Sequence, residues 1–333
     1  MSRILILRTD HLGDAILTTP LIRSLAKAGH AVELVLPDAW LPLFSGNPHL
    51  AALHGLQAVA GDWKRHWLRL ARWIRSGRYD VLILPHARPW QLPLVSLFSG
   101  VSCRVAMWGG VWGRLTFHHC LRSGILDRPR PYADILLDCA RLLGAPPQGL
   151  ESEIYPQSPP LETPHRIALH PGSGGNACNF GPMDYQTLAR WFLDETDWDI
   201  VLTGTDSEKN LLAEWDPKLL THPRLSNQVG ALSLEEMARL LPTLALFISP
   251  STGPLHMAAS LGVPTLTPFC SRPDVSPRVW GNPRPNGFSM EAPSGACQAV
   301  PAGSHCRFAG KIDLRDFFEA ALRAASRTPG AAC

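Results

Sequence analysis

The sequence is poor in charge. Lys, Arg, Asp and Glu make up 18% of its 333 residues while 45% are hydrophobic, which excludes a disordered or solvating chain and fits a well-packed globular protein. It has no C-x-x-C pair. The eight cysteines (Cys103, Cys120, Cys139, Cys178, Cys270, Cys297, Cys306, Cys333) are scattered, so neither a zinc ribbon nor a disulfide framework is expected, and they read as reduced thiols. An export signal is lacking too: MSRILILRTDHLGD holds an apolar run of only four residues between charges, the signature of a buried strand, and a cytoplasmic location is expected. Residues 240–271 carry no Lys, Arg, Asp or Glu, but Pro242, Pro250, Pro254, Pro264 and Pro268 interrupt the stretch, which excludes a membrane span and predicts short buried strands with a buried helix. No repeat with a period of 20 to 50 residues appears.

What is present is alternation. The length suits two domains of ordinary size. The runs 3–8, 31–37 and 79–86 read as continuous apolar strands, separated by helical patterns over 14–28 and 62–78, with a further helix at 132–144. Strands that are apolar throughout, alternating with helices, define a parallel sheet covered on both faces. The stretch 144–165 is rich in proline and aperiodic, and is the best linker candidate. The alternation then resumes: strands at 166–171, 199–204, 244–250 and 263–269, and helices at 184–196, 206–215, 233–241 and 254–261. The expected organisation is a first domain over 1–157, a second over 165–310, and a closing helix and tail over 311–333 that could pack back across the domain junction.

Charge is uneven. Residues 1–164 hold 17 Lys+Arg against 12 Asp+Glu, and residues 165–333 hold 14 against 16. Much of the basic excess lies in 62–78, where Trp63, Trp67, Leu70 and Ile74 recur at helical spacing and Lys64, Arg65, Arg69, Arg72 and Arg75 fill the other positions. Such a helix suits an anionic surface, such as inner-leaflet phospholipid or a phosphorylated glycolipid; the plainer reading is a domain helix with a solvated basic face.

In open parallel sheets, ligands sit beyond the carboxyl ends of the strands. Three loops in such places stand out. In RTDHLGDAILTTP (8–20), Asp14 follows Gly13 where a helix begins; it reads as a helix cap or as a general base for an acceptor hydroxyl, and on spacing alone the cap is the simpler choice. In HPGSGGNACNFGP (170–182), Gly172, Ser173 and Gly174 can turn backbone N–H groups toward phosphate oxygens. A dinucleotide fingerprint is excluded there, because Gly181 and Pro182 stop a helix from starting at the required offset. In SPSTGPLHMAASLGVP (249–264), Ser251, Thr252 and Gly253 precede Pro254 in the first turn of a helix, whose free N–H groups and positive dipole end suit a diphosphate.

Together with GTDSE (204–208) and VGALSLEEMARLL (229–241), these loops resemble the ADP-heptose:lipopolysaccharide heptosyltransferases of glycosyltransferase family 9, in the same order over nearly the whole chain. The resemblance implies a GT-B fold: α/β, two facing Rossmann-like domains with mainly parallel sheets, the first holding a saccharide or glycolipid acceptor and the second a nucleotide sugar. It implies inverting transfer of a sugar, heptose by analogy with the family, without a metal or other cofactor and without nucleic acid. Asp14 becomes the catalytic base. Gly172, Ser173, Gly174, Ser251, Thr252, Gly253 and His256 are placed to bind the donor diphosphate, and Thr203, Gly204 and Glu208 the nucleotide.

Two positions depart from the family pattern. Its phosphate loop carries a lysine, a residue and a tryptophan where this sequence has Cys178, Asn179 and Phe180, and its aspartate before Thr-Gly is Ser251 here. Arg272, in the loop after the next strand, is the candidate substitute cation. The alternative reading is a relative with little or no activity that binds a nucleotide or glycan or serves as a scaffold. Asp197-Trp198-Asp199 spells the D-x-D of metal-dependent transferases but precedes a strand, the wrong end of the sheet for a ligand, and His118-His119-Cys120 lacks further partners at ligand spacing.

Overall fold

The computed structural model describes residues 1–86, 90–107, 110–121, 129–156, 166–173, 180–293 and 311–326. The chain forms two compact units, Met1–Gln157 and Ser158–Cys333. The first holds strands β1 (Arg3–Leu7), β2 (Ala31–Leu36), β3 (Ala52–Gly55), β4 (Val81–Leu84), β5 (Cys103–Met107) and β6 (His119–Leu121), in the spatial order β3-β2-β1-β4-β5-β6. The second holds β7 (Arg166–Leu169), β8 (Asp199–Leu202), β9 (Leu225–Asn227), β10 (Leu244–Ile248), β11 (Thr265–Phe269) and β12 (Gly287–Glu291), in the order β12-β11-β10-β7-β8-β9. Every strand pair is parallel. Each half is therefore a doubly wound sheet with the same topology, and its switch point falls beside its own first strand: between β1 and β4, and between β7 and β10.

The central strands are the sequence's apolar runs. Ile4 to Leu7 of β1, Val81 to Leu84 of β4 and all five residues of β10 are buried, as expected of strands covered on both faces. Apolar side chains of the helix Pro182–Glu195, among them Tyr185, Leu188 and Phe192, enter the second core. The closing helix Leu314–Ala325 starts at Asp313, whose carboxylate accepts from the Arg315 and Asp316 N–H groups at 2.8 and 2.9 Å. It buries Phe317 and Phe318 in the core of its own unit, where Phe318 meets Phe192 edge-on at 4.9 Å between ring centroids.

Four local expectations change. The helix over 14–28 is two helices, Leu12–Leu17 and Thr19–Lys27, because Pro20 has no N–H to offer the Ile16 carbonyl; the Thr19 hydroxyl donates to it instead at 2.8 Å. The basic helix is Trp67–Ser76 and starts five residues late. Its Leu70, Ala71 and Ile74 lie in the first core while Arg69, Arg72 and Arg75 are exposed, so its apolar stripe is a packing face. The linker candidate has no regular structure over 145–156 but is strapped to the first unit: the Arg23 guanidinium donates to the Gln148 and Glu151 carbonyls, each at 3.0 Å, and to the Glu153 carboxylate at 2.8 Å. Finally, Cys103, Cys120 and Cys139 are free thiols but Cys270 is disulfide-bonded, which corrects the expectation of reduced cysteines throughout. Among the described residues no helix is long and apolar enough to cross a membrane.

Candidate active site

In the first unit the loop after β1 builds a charged cluster at the switch point. Arg8 directly follows β1 and its guanidinium is completely buried. Nη2 lies 3.0 Å from Oδ1 of Asp14 and donates to the Tyr132 hydroxyl at 3.1 Å; Nε is 3.2 Å from Oδ1 of Asp10, out of line for a hydrogen bond, and Nη1 has no hydrogen-bond partner. Burial opposes the arginine's charge, yet Tyr132, Asp10 and Asp14 outweigh it and hold the guanidinium firmly protonated. Asp14 is not the helix cap. His11 holds that place, without a capping side-chain bond, and Asp14 sits in the first turn with its carboxylate nearly buried. Desolvation raises its pKa above the usual carboxylate range; Arg8 opposes the shift, Asp10 adds to it, and a hydrogen bond with Tyr132 opposes it again. The buried Tyr132 hydroxyl is itself pushed up to about 12, first by burial. A carboxylate that is desolvated, oriented and raised in basicity is equipped to take a proton.

In the second unit the loops after β7, β8 and β10 lie side by side because those strands are neighbours. His170 follows β7; its N–H donates to the Ile248 carbonyl of β10 at 2.9 Å and its Nδ1 meets the Thr203 hydroxyl beyond β8 at 3.0 Å. Burial drives the His170 pKa down to about 4, although Glu208 pulls the other way, so the imidazole is neutral at physiological pH. Glu208 lies in the 3₁₀ turn Asp206–Leu212, where Oε2 accepts from the Thr205 N–H at 2.8 Å and its hydroxyl at 2.9 Å. Its carboxylate lies directly over Gly172: a β-carbon at that position would collide with it, so glycine is what lets the two loops close on each other. Gly204 lies beneath the same carboxylate.

The loop after β10 runs through the buried Ser249 into the helix Gly253–Ser260. Thr252 is its cap residue in an extended conformation, and no side chain caps the first turn, which leaves its N–H groups available to an anion. Ser251, Thr252 and Gly253 are half-exposed. His256, one turn further on, is buried, and desolvation lowers its pKa to about 4. It is a neutral group at the base of the helix rather than a cation for a phosphate.

The structure thus brings Gly172, Thr203, Gly204 and Glu208 together and places Ser251, Thr252 and Gly253 on the adjacent strand end. Ser173 is half-exposed beside Gly172; Gly174 and Cys178 lie outside the described residues. Phe180 is part of the core, its ring edge-on to Phe317 at 4.9 Å. Arg272 is forked onto Asp274, with Nε at 3.1 Å and Nη2 at 2.5 Å. Asp199 opens β8, at the far end from these loops, and His119 and Cys120 belong to β6 rather than to a loop. Among the described residues no group of three or more His, Cys, Asp or Glu side chains is placed to hold a metal ion. Sequence reasoning missed Arg8, Asp10, Tyr132 and His170. Arg8, Asp10 and His170 stand in the quoted loops, where a polar residue directly after a buried strand is a usable signal; nothing in the sequence points to Tyr132.

Two parallel doubly wound units with polar loops at their switch points are the architecture of GT-B transferases. Residues 155–299 match the family model described as glycosyltransferase family 9 (heptosyltransferase). The chain is 23% identical over 296 residues to lipopolysaccharide heptosyltransferase 3 of Escherichia coli, covering 81% of this chain and 84% of that one. Its fold resembles the family 9 glycosyl transferase of Veillonella parvula DSM 2008 (TM-score 0.77, 18% identity, 98% of each chain). It also resembles the E. coli ADP-heptose lps heptosyltransferase II (TM-score 0.71, 18% identity, 98% of each chain). The family 9 match spans β7–β12, the chain as a whole has the GT-B fold, and the protein is a glycosyltransferase similar to the heptosyltransferases of that family.

Proposed function

We propose that the protein transfers heptose, with inversion and without a metal, from a nucleoside diphosphate to a lipopolysaccharide-core or related envelope saccharide at the cytoplasmic face of the membrane. The names of its relatives, one a lipopolysaccharide heptosyltransferase and one an ADP-heptose enzyme, support donor and acceptor class. The observation that carries the reading is the gathering of Gly172, Glu208 and the uncapped Thr252–Gly253 helix start at the carboxyl ends of three adjacent strands.

In this reading the first unit holds the acceptor and the second the donor. Asp14 removes the proton of the acceptor hydroxyl, whose oxygen forms the new bond to the anomeric carbon. The bond from that carbon to the diphosphate breaks, and the leaving group takes the electron pair. Negative charge therefore grows on the diphosphate as positive charge spreads over the sugar ring. Backbone N–H groups of Gly172, Ser173 and the helix start, with the Ser251 and Thr252 hydroxyls, favour that state over the bound donor. Glu208, released from Thr205, would accept hydrogen bonds from ribose hydroxyls.

The experiment incubates the purified protein with ADP-heptose and a core-oligosaccharide acceptor, in chelator and in added divalent cation, following nucleotide release and the anomeric configuration of the product. Release with an inverted product at equal rates in both media is expected. A retained configuration, loss of turnover in chelator, or turnover with a different nucleotide sugar and not with ADP-heptose would each refute its part of the proposal.

A further inference from the structure

The helix Gln91–Phe98 is apolar on its outer face as well as its inner one. Its inner face buries Leu92, Pro93 and Val95 together with Ser96 and, just past its end, Ser99. Its outer face holds Leu97 at 45% and Phe98 at 51% exposure, preceded by Trp90 at 64%, with Leu94 half-exposed between them. Positions 90, 94, 97 and 98 follow i, i+4, i+7, i+8 spacing, so these side chains form one continuous apolar stripe. The Ser99 hydroxyl donates to the Ser96 carbonyl at 2.6 Å, while the Ser96 hydroxyl has no hydrogen-bond partner among the described residues.

Two neighbouring helices carry exposed leucines as well. Trp67–Ser76 packs alongside, its Trp67 ring 5.5 Å from that of Phe98, and adds the exposed Leu68. Gly110–Thr116 also packs against Gln91–Phe98 and carries Leu115, exposed at 70%. The surrounding charge has one dominant sign. Lys64, Arg69, Arg72, Arg75 and Arg114 are exposed and pair with no carboxylate among the described residues, whereas Arg65 is partnered by Asp62 at 3.4 Å. The Arg75 side chain lies against Gly100, two residues beyond Phe98.

We propose that this three-helix face of the first unit seats in the interfacial layer of an anionic phospholipid bilayer. Trp90, Leu97, Phe98, Leu68 and Leu115 enter the acyl boundary, and Arg69, Arg72, Arg75 and Arg114 meet lipid phosphates. Division of labour follows from packing. The basic helix has spent its own apolar stripe on the core and supplies charge, while Gln91–Phe98 supplies the inserted surface. An eight-residue helix is far too short to span a bilayer, so the contact is interfacial. A second copy of the chain is the poorer occupant, because it would bring two uncompensated basic rims together.

The proposal does not depend on the transfer reaction, because its test reads binding alone. The full chain is floated with vesicles of phosphatidylcholine containing phosphatidylglycerol, and with phosphatidylcholine alone, at low and high salt. Binding to the anionic vesicles is expected, weakened by salt, and reduced about tenfold by R69E/R72E and by W90S/L97S. Leu115→Ser, on a different helix, gives a second apolar variant should W90S/L97S fail to fold. No binding to anionic vesicles, or binding indifferent to both kinds of variant, overturns the proposal. A dimer that W90S/L97S dissociates, in the absence of vesicle binding, also overturns it and assigns the face to a second copy.

Discussion

The Arg8 guanidinium, wholly buried at the end of β1, lies 3.0 Å from the Asp14 carboxylate and is its principal source of positive charge. The pair sets the basicity of the proposed base: burial raises the Asp14 pKa and Arg8 restrains it.

Asp14→Asn should lower kcat by about a hundredfold or more while nucleoside diphosphate binding stays within about threefold. Arg8→Met should move the acidic limb of the kcat/KM profile upward by about one unit, since removing a nearby cation makes the carboxylate more basic. Arg8→Lys should move it less. An acidic limb that stays in place in both variants would show that Asp14 is not the titrating group.

Gly172→Ala tests the close approach of the two proposed donor-binding loops. The new β-carbon must displace the Glu208 carboxylate, a movable side-chain end, so stability should fall by less than about 1 kcal/mol. Nucleoside diphosphate affinity, measured calorimetrically, should fall about tenfold. Unchanged affinity would separate the β7 loop from the donor site.

His170 and His256 predict acid sensitivity. Each has a pKa near 4 in the folded protein against 6.5 in an unfolded chain, so between those values the unfolded state binds more protons. Their contribution is complete above about pH 6.5 and is lost as pH falls toward 4, at most about 3 kcal/mol for each. Urea unfolding of His256→Gln should show a smaller loss between about pH 7 and about pH 4.5 than the parent. Equal losses would mean that His256 is protonated without penalty.

Arg272 is the candidate to replace the missing family cation, and Asp274 competes for it. Arg272→Ala should weaken nucleoside diphosphate binding about tenfold, and Asp274→Asn should strengthen it by removing a competing carboxylate. No change in either variant would assign the phosphate charge to another group.

The sequence by itself determined what depends on neighbours along the chain. Apolar runs such as 4–7 and 244–248 can be buried only as interior strands, glycines and prolines punctuate the loops after them, and Thr252 marks a helix start, whereas Asp14 as base and Glu208 are implied by the resemblance to family 9 and not by local pattern. The interior strand β5 escaped that reading, and so did the short edge strands β3, β6, β9 and β12. At three to five residues, partly exposed and at sheet edges, these four are strands mainly because an adjacent strand supplies their backbone hydrogen bonds. Only the tertiary structure decided that Tyr132, 118 residues from Asp14, closes the cluster around it, and that the carboxylate of Glu208 rests on Gly172. It likewise decided that Leu70 and Ile74 face inward while Leu97 and Phe98 face out. Periodicity shows which side chains share a face, but packing against other elements decides which face meets water.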